Sequence, residues 1–162
     1  MFTVGEIIDL AIRIEKNGEK IYRKAGGEVS DPSLASLLEW LADEELAHEK
    51  WFVQLGEEVE PNVEVPRLEE MGKEILRGVL GDQAFSIKEV DFSRMEDIND
   101  LLSLSLEFEK DTILFYEMLS EFIDDAETIR QLGRIIEEEH RHVEILEEFL
   151  EKGEVPERGG HA

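Results

Sequence analysis

Cysteine is absent from the 162-residue sequence, and that gap removes several chemistries at once. Without thiolates the chain forms no disulfide, holds no iron–sulfur cluster, and builds neither a thiolate zinc site nor a four-cysteine iron centre. Basic residues are scarce as well: 17 Lys and Arg stand against 41 Asp and Glu, for a net charge of −24. So acidic a surface repels phosphate backbones and anionic headgroups, which makes nucleic acid and membranes poor partners. No apolar run reaches the length of a bilayer span, and the N-terminal MFTVGEIIDL lacks a basic-then-apolar signal pattern. A cytoplasmic location is the expectation. Proline is rare, with four in the chain, and glycine is missing from long stretches. Few breakers favour long helices.

What is present fits a single all-α domain. The length allows one sizeable core, and two Trp with eight Phe argue against disorder. Four segments carry helical periodicity with start signals. The first runs from about Val4 to Ala25, opened by a Thr3/Glu6 capping box and stopped by Gly26-Gly27. The second opens at Asp31-Pro32 and ends near Gly56. The third opens at Ser93 with Glu96 three residues on and continues to about Ile123; Asp124-Asp125 then turn the chain into the fourth, which ends at Gly153. Short links join first to second and third to fourth, so each pair is an antiparallel hairpin. The expectation is a four-helix bundle over 1–155, with a long crossover at about 57–92 and a tail at 156–162. The crossover holds a helical stretch, Arg67–Leu80, and several apolar residues (Leu76, Val79, Leu80, Phe85, Ile87 and Phe92) that suggest a homo-oligomer.

The two halves repeat. Glu15 and Glu109, Tyr22 and Tyr116, Glu45 and Glu139, and His48 and His142 are each separated by 94 positions. A duplicated helical hairpin explains this economically. Residues three and four apart share a helix face, and on each helix these groups sit inside an apolar stripe. Helix one gives Val4, Ile8, Ala11, Glu15, Gly18, Tyr22 and Ala25, and helix three gives Ile98, Leu102, Ser105, Glu109, Thr112, Tyr116 and Leu119. Helices two and four each place a Glu-x-x-His pair there, Glu45/His48 and Glu139/His142.

Four inward carboxylates would be prohibitively costly unless protons or cations neutralise them. Two divalent ions cancel four glutamates, and carboxylates with one imidazole per metal suit iron or manganese, with zinc also able to bind. The small residues Ala11, Gly18, Ser105 and Thr112 leave room beside the glutamates. The competing pair Glu137/His140 has the same spacing but points roughly 160° to 200° away from the apolar stripe. Glu44, Glu107 and Glu138 fall off the stripe too. Glu19 lies close to the inward face and is a lesser candidate. Tyr22 and Tyr116 are either core aromatics or hydrogen-bond donors to the metal carboxylates.

This pattern resembles the ferritin-like di-iron carboxylate proteins, in which two helices give a Glu each and two give Glu-x-x-His. The Glu-x6-Tyr and Glu-x-x-His details look closest to the rubrerythrin branch, here without its rubredoxin domain. The resemblance spans about residues 3 to 152. It implies Glu15, Glu45, His48, Glu109, Glu139 and His142 as ligands to two iron ions. It also implies one bridging pair, either Glu45 with Glu139 or Glu15 with Glu109. The implied activity is reduction of hydrogen peroxide, or of oxygen, with electrons from an external rubredoxin-like or flavin-containing donor. Ferroxidase and iron storage, or a non-catalytic helical module with a structural metal site, are the alternatives. One departure stands out: the extra helix-three glutamate of rubrerythrins is Thr112 here.

Overall fold

The computed structural model describes residues 3–63 and 95–156, with the backbone alone described for 95–97. Four helices make up the described elements: α1 (Val4–Glu28), α2 (Pro32–Glu58), α3 (Met95–Ser120) and α4 (Ala126–Lys152). Together they form a four-helix bundle.

Local chemistry sets most helix ends. The Thr3 hydroxyl accepts from the Glu6 N–H (3.2 Å), and Glu6 reaches back to the Thr3 N–H (3.1 Å), completing the expected capping box. The Gly5 and Val4 N–H groups, orphans of the first turn, donate to the Pro61 and Val63 carbonyls at 3.0 and 2.8 Å. Asp31 and Asp125 cap α2 and α4 by accepting from Leu34 N and Thr128 N, each cap worth about 1 kcal/mol. Gly153 closes α4 at φ 72°, where a side chain would be strained, and its N–H donates to Phe149 O at 2.7 Å.

Three ends differ from expectation. α1 does not stop at Gly26-Gly27 but continues to Glu28, because Gly26 is a packing residue. A Cβ there would meet Glu39 Oε1 at 3.1 Å and Leu38 Cβ at 3.4 Å. α2 passes through Gly56 to Glu58 for the same reason, since a Cβ at Gly56 would press on Ile8 Cγ2 at 3.3 Å. Both glycines let α1 and α2 approach closely. α3 ends at Ser120, three residues short, as the Glu121 and Phe122 N–H groups tighten back onto Met118 and Leu119 carbonyls. The expected Ser93 cap, most of the 57–92 crossover with its apolar residues, and most of the tail lie outside the described residues.

Side-chain partners fix the topology. Tyr22 meets Glu109 while Glu15 meets Tyr116, so α1 and α3 run antiparallel. Trp51 meets Gln131 and His48 meets Glu138, so α2 and α4 do too. Within a hairpin the helices are antiparallel; α2 and α3 are therefore parallel, and α2 ends at the opposite end of the bundle from where α3 begins. Two apolar layers fill the interior. One holds Ile8, Ile14, Phe52, Tyr116 and Leu132; the other holds Tyr22, Leu38, Leu41, Leu102 and Leu146. Between them lie the buried acids and imidazoles.

Candidate metal centre

Every helix delivers its inward polar residue to one place. Glu15, Glu109, Glu139 and His142 are at most 1% exposed, and Glu45 and His48 are 3% exposed. Among the described residues they form two groups: Glu15, Glu45, His48 and Glu139, and Glu45, Glu109, Glu139 and His142. Within each group the ligand atoms lie within 4.8 Å of one another. Glu45 and Glu139 belong to both groups, while Glu15 with His48 and Glu109 with His142 each belong to one. Both imidazoles turn Nδ1 inward. His48 Nδ1 lies 2.9 Å from Glu139 and 3.5 Å from Glu15, and His142 Nδ1 lies 3.2 Å from Glu139 and 3.6 Å from Glu45.

The surrounding contacts are reciprocal, as a duplicated hairpin requires. The Tyr22 hydroxyl donates to Glu109 Oε1 at 2.8 Å, and the Tyr116 hydroxyl donates to Glu15 Oε1 at 2.5 Å. Both tyrosines thus hold a carboxylate of the opposite hairpin. His48 Nε2 meets Glu138 Oε2 at 2.8 Å, and His142 Nε2 lies 4.0 Å from Glu44 Oε1. Spacing set Glu44 and Glu138 aside as off-stripe. They indeed stay out of the two groups, but they face the outer nitrogens of the imidazoles. The signal was present in the sequence, since each immediately precedes a Glu-x-x-His glutamate and the two are 94 positions apart.

Three other candidates fall elsewhere. Glu137 and His140 are exposed. Glu19 is corrected: its carboxylate accepts from Arg23 Nη2 at 2.8 Å, in a surface network with Glu39 and Asp43, and it does not enter the cluster. The charged partner near the surface outcompetes a buried position that already holds four acids. Thr112 Oγ1 donates to the Phe108 carbonyl at 2.8 Å, the usual local bond of a helical threonine, so its hydroxyl is already engaged.

Electrostatics show what the cluster needs. Burial, then repulsion from Glu109, Glu139 and Glu15, pushes the Glu45 carboxyl well above its ordinary value. Burial and the neighbouring Glu139 raise Glu109 to about 7. Glu15 is raised by burial and by Glu139. Only Glu139 goes the other way: burial opposes its charge, but hydrogen bonds from Glu109, His142 and His48 outweigh it and hold it well below the carboxylate range. Burial disfavours charge on His48, yet Glu15, Glu138 and Glu139 raise it well above the usual imidazole value; His142 behaves likewise against Glu109, Glu139 and Glu44. Two buried acceptors, Glu15 Oε2 and Glu45 Oε1, have no hydrogen-bond donor. Unpaired buried oxygens are expensive. Two divalent cations would satisfy both oxygens and offset the four carboxylates, so the donor set fits a metal pair.

An outer carboxylate that orients a metal-binding imidazole is commonly worth 10–100-fold in affinity. Glu138→Ala is therefore expected to weaken metal binding by about that factor, while His140→Ala leaves it unchanged. Competition with a chromophoric chelator measures both. Equal affinity in the Glu138 variant would show that the contact does not orient His48.

Comparisons agree with this geometry. No curated protein matches the sequence. In the solved structures the fold is similar to that of a ferritin-like diiron-carboxylate protein from Thermotoga maritima. The TM-score is 0.70 at 21% identity, covering 94% of this chain and 97% of that one. Among the described residues no helix is long and apolar enough to cross a membrane. The sequence profile described as Rubrerythrin matches residues 6–89, just over half of the chain, and takes in α1 and α2 with Glu15, Glu45 and His48. The chain belongs to the rubrerythrin family.

Proposed function

We propose that this protein is a cytoplasmic di-iron oxidoreductase that reduces hydrogen peroxide to water with electrons from an external donor. The supporting observation is a six-residue donor set for two metals, closed off by apolar layers with no ligand more than 3% exposed. So closed a site would suit a small oxidant better than a larger substrate. Two iron ions, when bound, supply the two electrons that peroxide reduction consumes.

The chain's own residues do the rest. Glu45 and Glu139 would serve both metals, and Glu15 with His48 and Glu109 with His142 would each complete one side. Tyr116 binds Glu15 through Oε1 and leaves Oε2 free for a cation. Glu138 accepts from the Nε2–H of His48 and so holds Nδ1 turned inward, where its lone pair would serve a metal. The layers above and below exclude water, which strengthens each of these electrostatic contacts. The bundle carries no cysteine of its own, and on this reading its electrons come from a rubredoxin-like or flavin-containing donor outside it.

Anaerobically reduced, iron-loaded protein mixed with excess peroxide is expected to consume about one peroxide per metal pair and stop, since each pair holds two electrons. A reduced electron-transfer protein then restarts consumption. Sustained turnover with oxygen evolution and no donor would identify a catalase. Indifference to peroxide with growth of an iron mineral would identify iron storage, and indifference to both a structural metal.

A further inference from the structure

On the Glu15 side of the cluster a chain of three aromatic rings leads outward from a tyrosine, whereas on the His142 side a single ring, Trp40, lies edge-on to the imidazole at 5.7 Å. The Tyr116 ring lies 5.0 Å from Phe52, centroid to centroid, and Phe52 lies 5.0 Å from Trp51. Tyr116 and Phe52 are fully buried, whereas Trp51 is partly exposed and its indole N–H donates to Gln131 at 2.9 Å. At the inner end the Tyr116 hydroxyl donates to Glu15, whose other oxygen belongs to the metal groups. The duplicated hairpin makes the asymmetry legible. Ninety-four positions on, the mates of Trp51 and Phe52 are Ile145 and Leu146, so Tyr22, the mate of Tyr116, gains no ring chain from the equivalent positions. Packing alone is served equally well by aliphatics, as the second half demonstrates.

We propose that Tyr116, Phe52 and Trp51 form a one-sided route by which a stranded oxidising equivalent leaves the cluster for solvent. The inference rests on the peroxide-reducing reading. Peroxide needs two electrons, together with two protons drawn from solvent, to become two waters. When the metal pair supplies only one electron, Tyr116 supplies the other, and its phenolic proton passes to Glu15 Oε1. Trp51 then returns an electron to Tyr116 across Phe52. The proton goes back from Glu15 to Tyr116, and the indole proton is lost to water. A small thiol reductant restores Trp51 by one electron and one proton. The route thus spares the buried ligands from oxidation and moves the damage to a replaceable surface encounter. Tyr116 is a transient relay here, too oxidising to store electrons at rest.

The test begins with iron-loaded protein given repeated peroxide without a donor, followed by peptide mapping by mass spectrometry. Oxygenated tryptophan is expected at Trp51 in clear excess over Trp40, which touches His142 edge-on at 5.7 Å and is the competing exit. Tyr116→Phe and Phe52→Leu should each lower Trp51 oxidation several-fold, with metal content checked to confirm that the site survives. Oxidation centred on Trp40, or a Trp51 yield indifferent to Tyr116→Phe, overturns the route. A second measurement does not depend on peroxide chemistry. In zinc-loaded Trp40→Phe protein, azide radicals generate an indolyl radical at Trp51, and its absorbance should equilibrate with a tyrosyl signal, several-fold more slowly in Phe52→Leu, with both radicals persisting because the route runs in either direction. Decay without any tyrosyl signal overturns the route whatever the peroxide result. Transfer in this arm, with no peroxide consumed by the iron form, leaves the wiring standing and removes the peroxidase reading instead.

Discussion

Loading the metal-free chain with a divalent metal is expected to raise its melting temperature by about 10–20 °C. Ligand that binds only the native state stabilises it by about 2.7 kcal/mol per site at a hundredfold excess over Kd. Two sites then give about 5 kcal/mol, and a chain of this size shifts by roughly 2–4 °C per kcal/mol. The gain is large because the metal-free core carries a defined cost: four buried carboxylates, two of whose oxygens lack any donor. Elemental analysis should approach two ions per chain, and a plateau at one would contradict the overlapping groups. Glu45→Ala combined with Glu139→Ala removes both shared ligands and should abolish the shift altogether. The same variant relieves the repulsion on Glu45 but strips His48 and His142 of the Glu139 carboxylate that pairs with them, so its metal-free form should be less stable than the metal-free parent. A variant that still melts higher with metal would show that Glu15, Glu109 and the imidazoles suffice.

Much of this centre was readable before any coordinates, for a physical reason. A buried acid on an apolar stripe breaks the hydrophobic pattern, and a duplicated hairpin breaks it twice at one offset. Glu15, Glu45, His48, Glu109, Glu139 and His142 announce themselves in that way, and the stripes that carry them are buried throughout apart from the partly buried Val4. Harder to read were groups whose role depends on a neighbouring helix. Glu138 lies off the stripe of α4 yet meets His48 of α2, because the side chain reaches across the seam between them. Glu19 has an inward-leaning position, but Arg23 one turn away draws it to the surface. Gly26 and Gly56 look like helix stops and act as contact points, since a missing Cβ serves close packing as readily as chain termination. The identity of the shared carboxylates needed the inter-helix distances, which periodicity within one helix does not contain.

The pH dependence of stability should run in opposite directions with and without metal. In the metal-free protein the native state holds protons that the unfolded chain has lost. Glu109 is raised from the ordinary 4.5 to about 7, Glu45 and Glu15 are raised as well, and both imidazoles lie above 6.5. Stability rises with pH only where the unfolded state binds more protons, and here the native state binds more. Each raised carboxyl therefore withdraws stability as pH climbs from its unfolded value to its folded one. Each raised imidazole gives stability that is complete below the unfolded value and fades as pH climbs through the folded one. Glu139 has the opposite sign, but its depressed value means its contribution fades only in more acidic solution and stays flat across this window. Glu109 alone accounts for about 3 kcal/mol between pH 4.5 and 7. From about pH 5.5 to 8, where surface carboxylates have already titrated, the metal-free melting temperature should fall. Metal reverses the sign, because each bound ion displaces those protons and binds better as they leave. The gap between loaded and metal-free melting curves should thus widen steadily with pH. Calorimetry on both forms across that range measures it, and the Glu45→Ala, Glu139→Ala variant supplies the reference, with a shallower slope and no gap. A metal-free curve that rose with pH would mean that the buried carboxyls ionise at their ordinary values, and that the cluster is solvated rather than sealed between its two apolar layers.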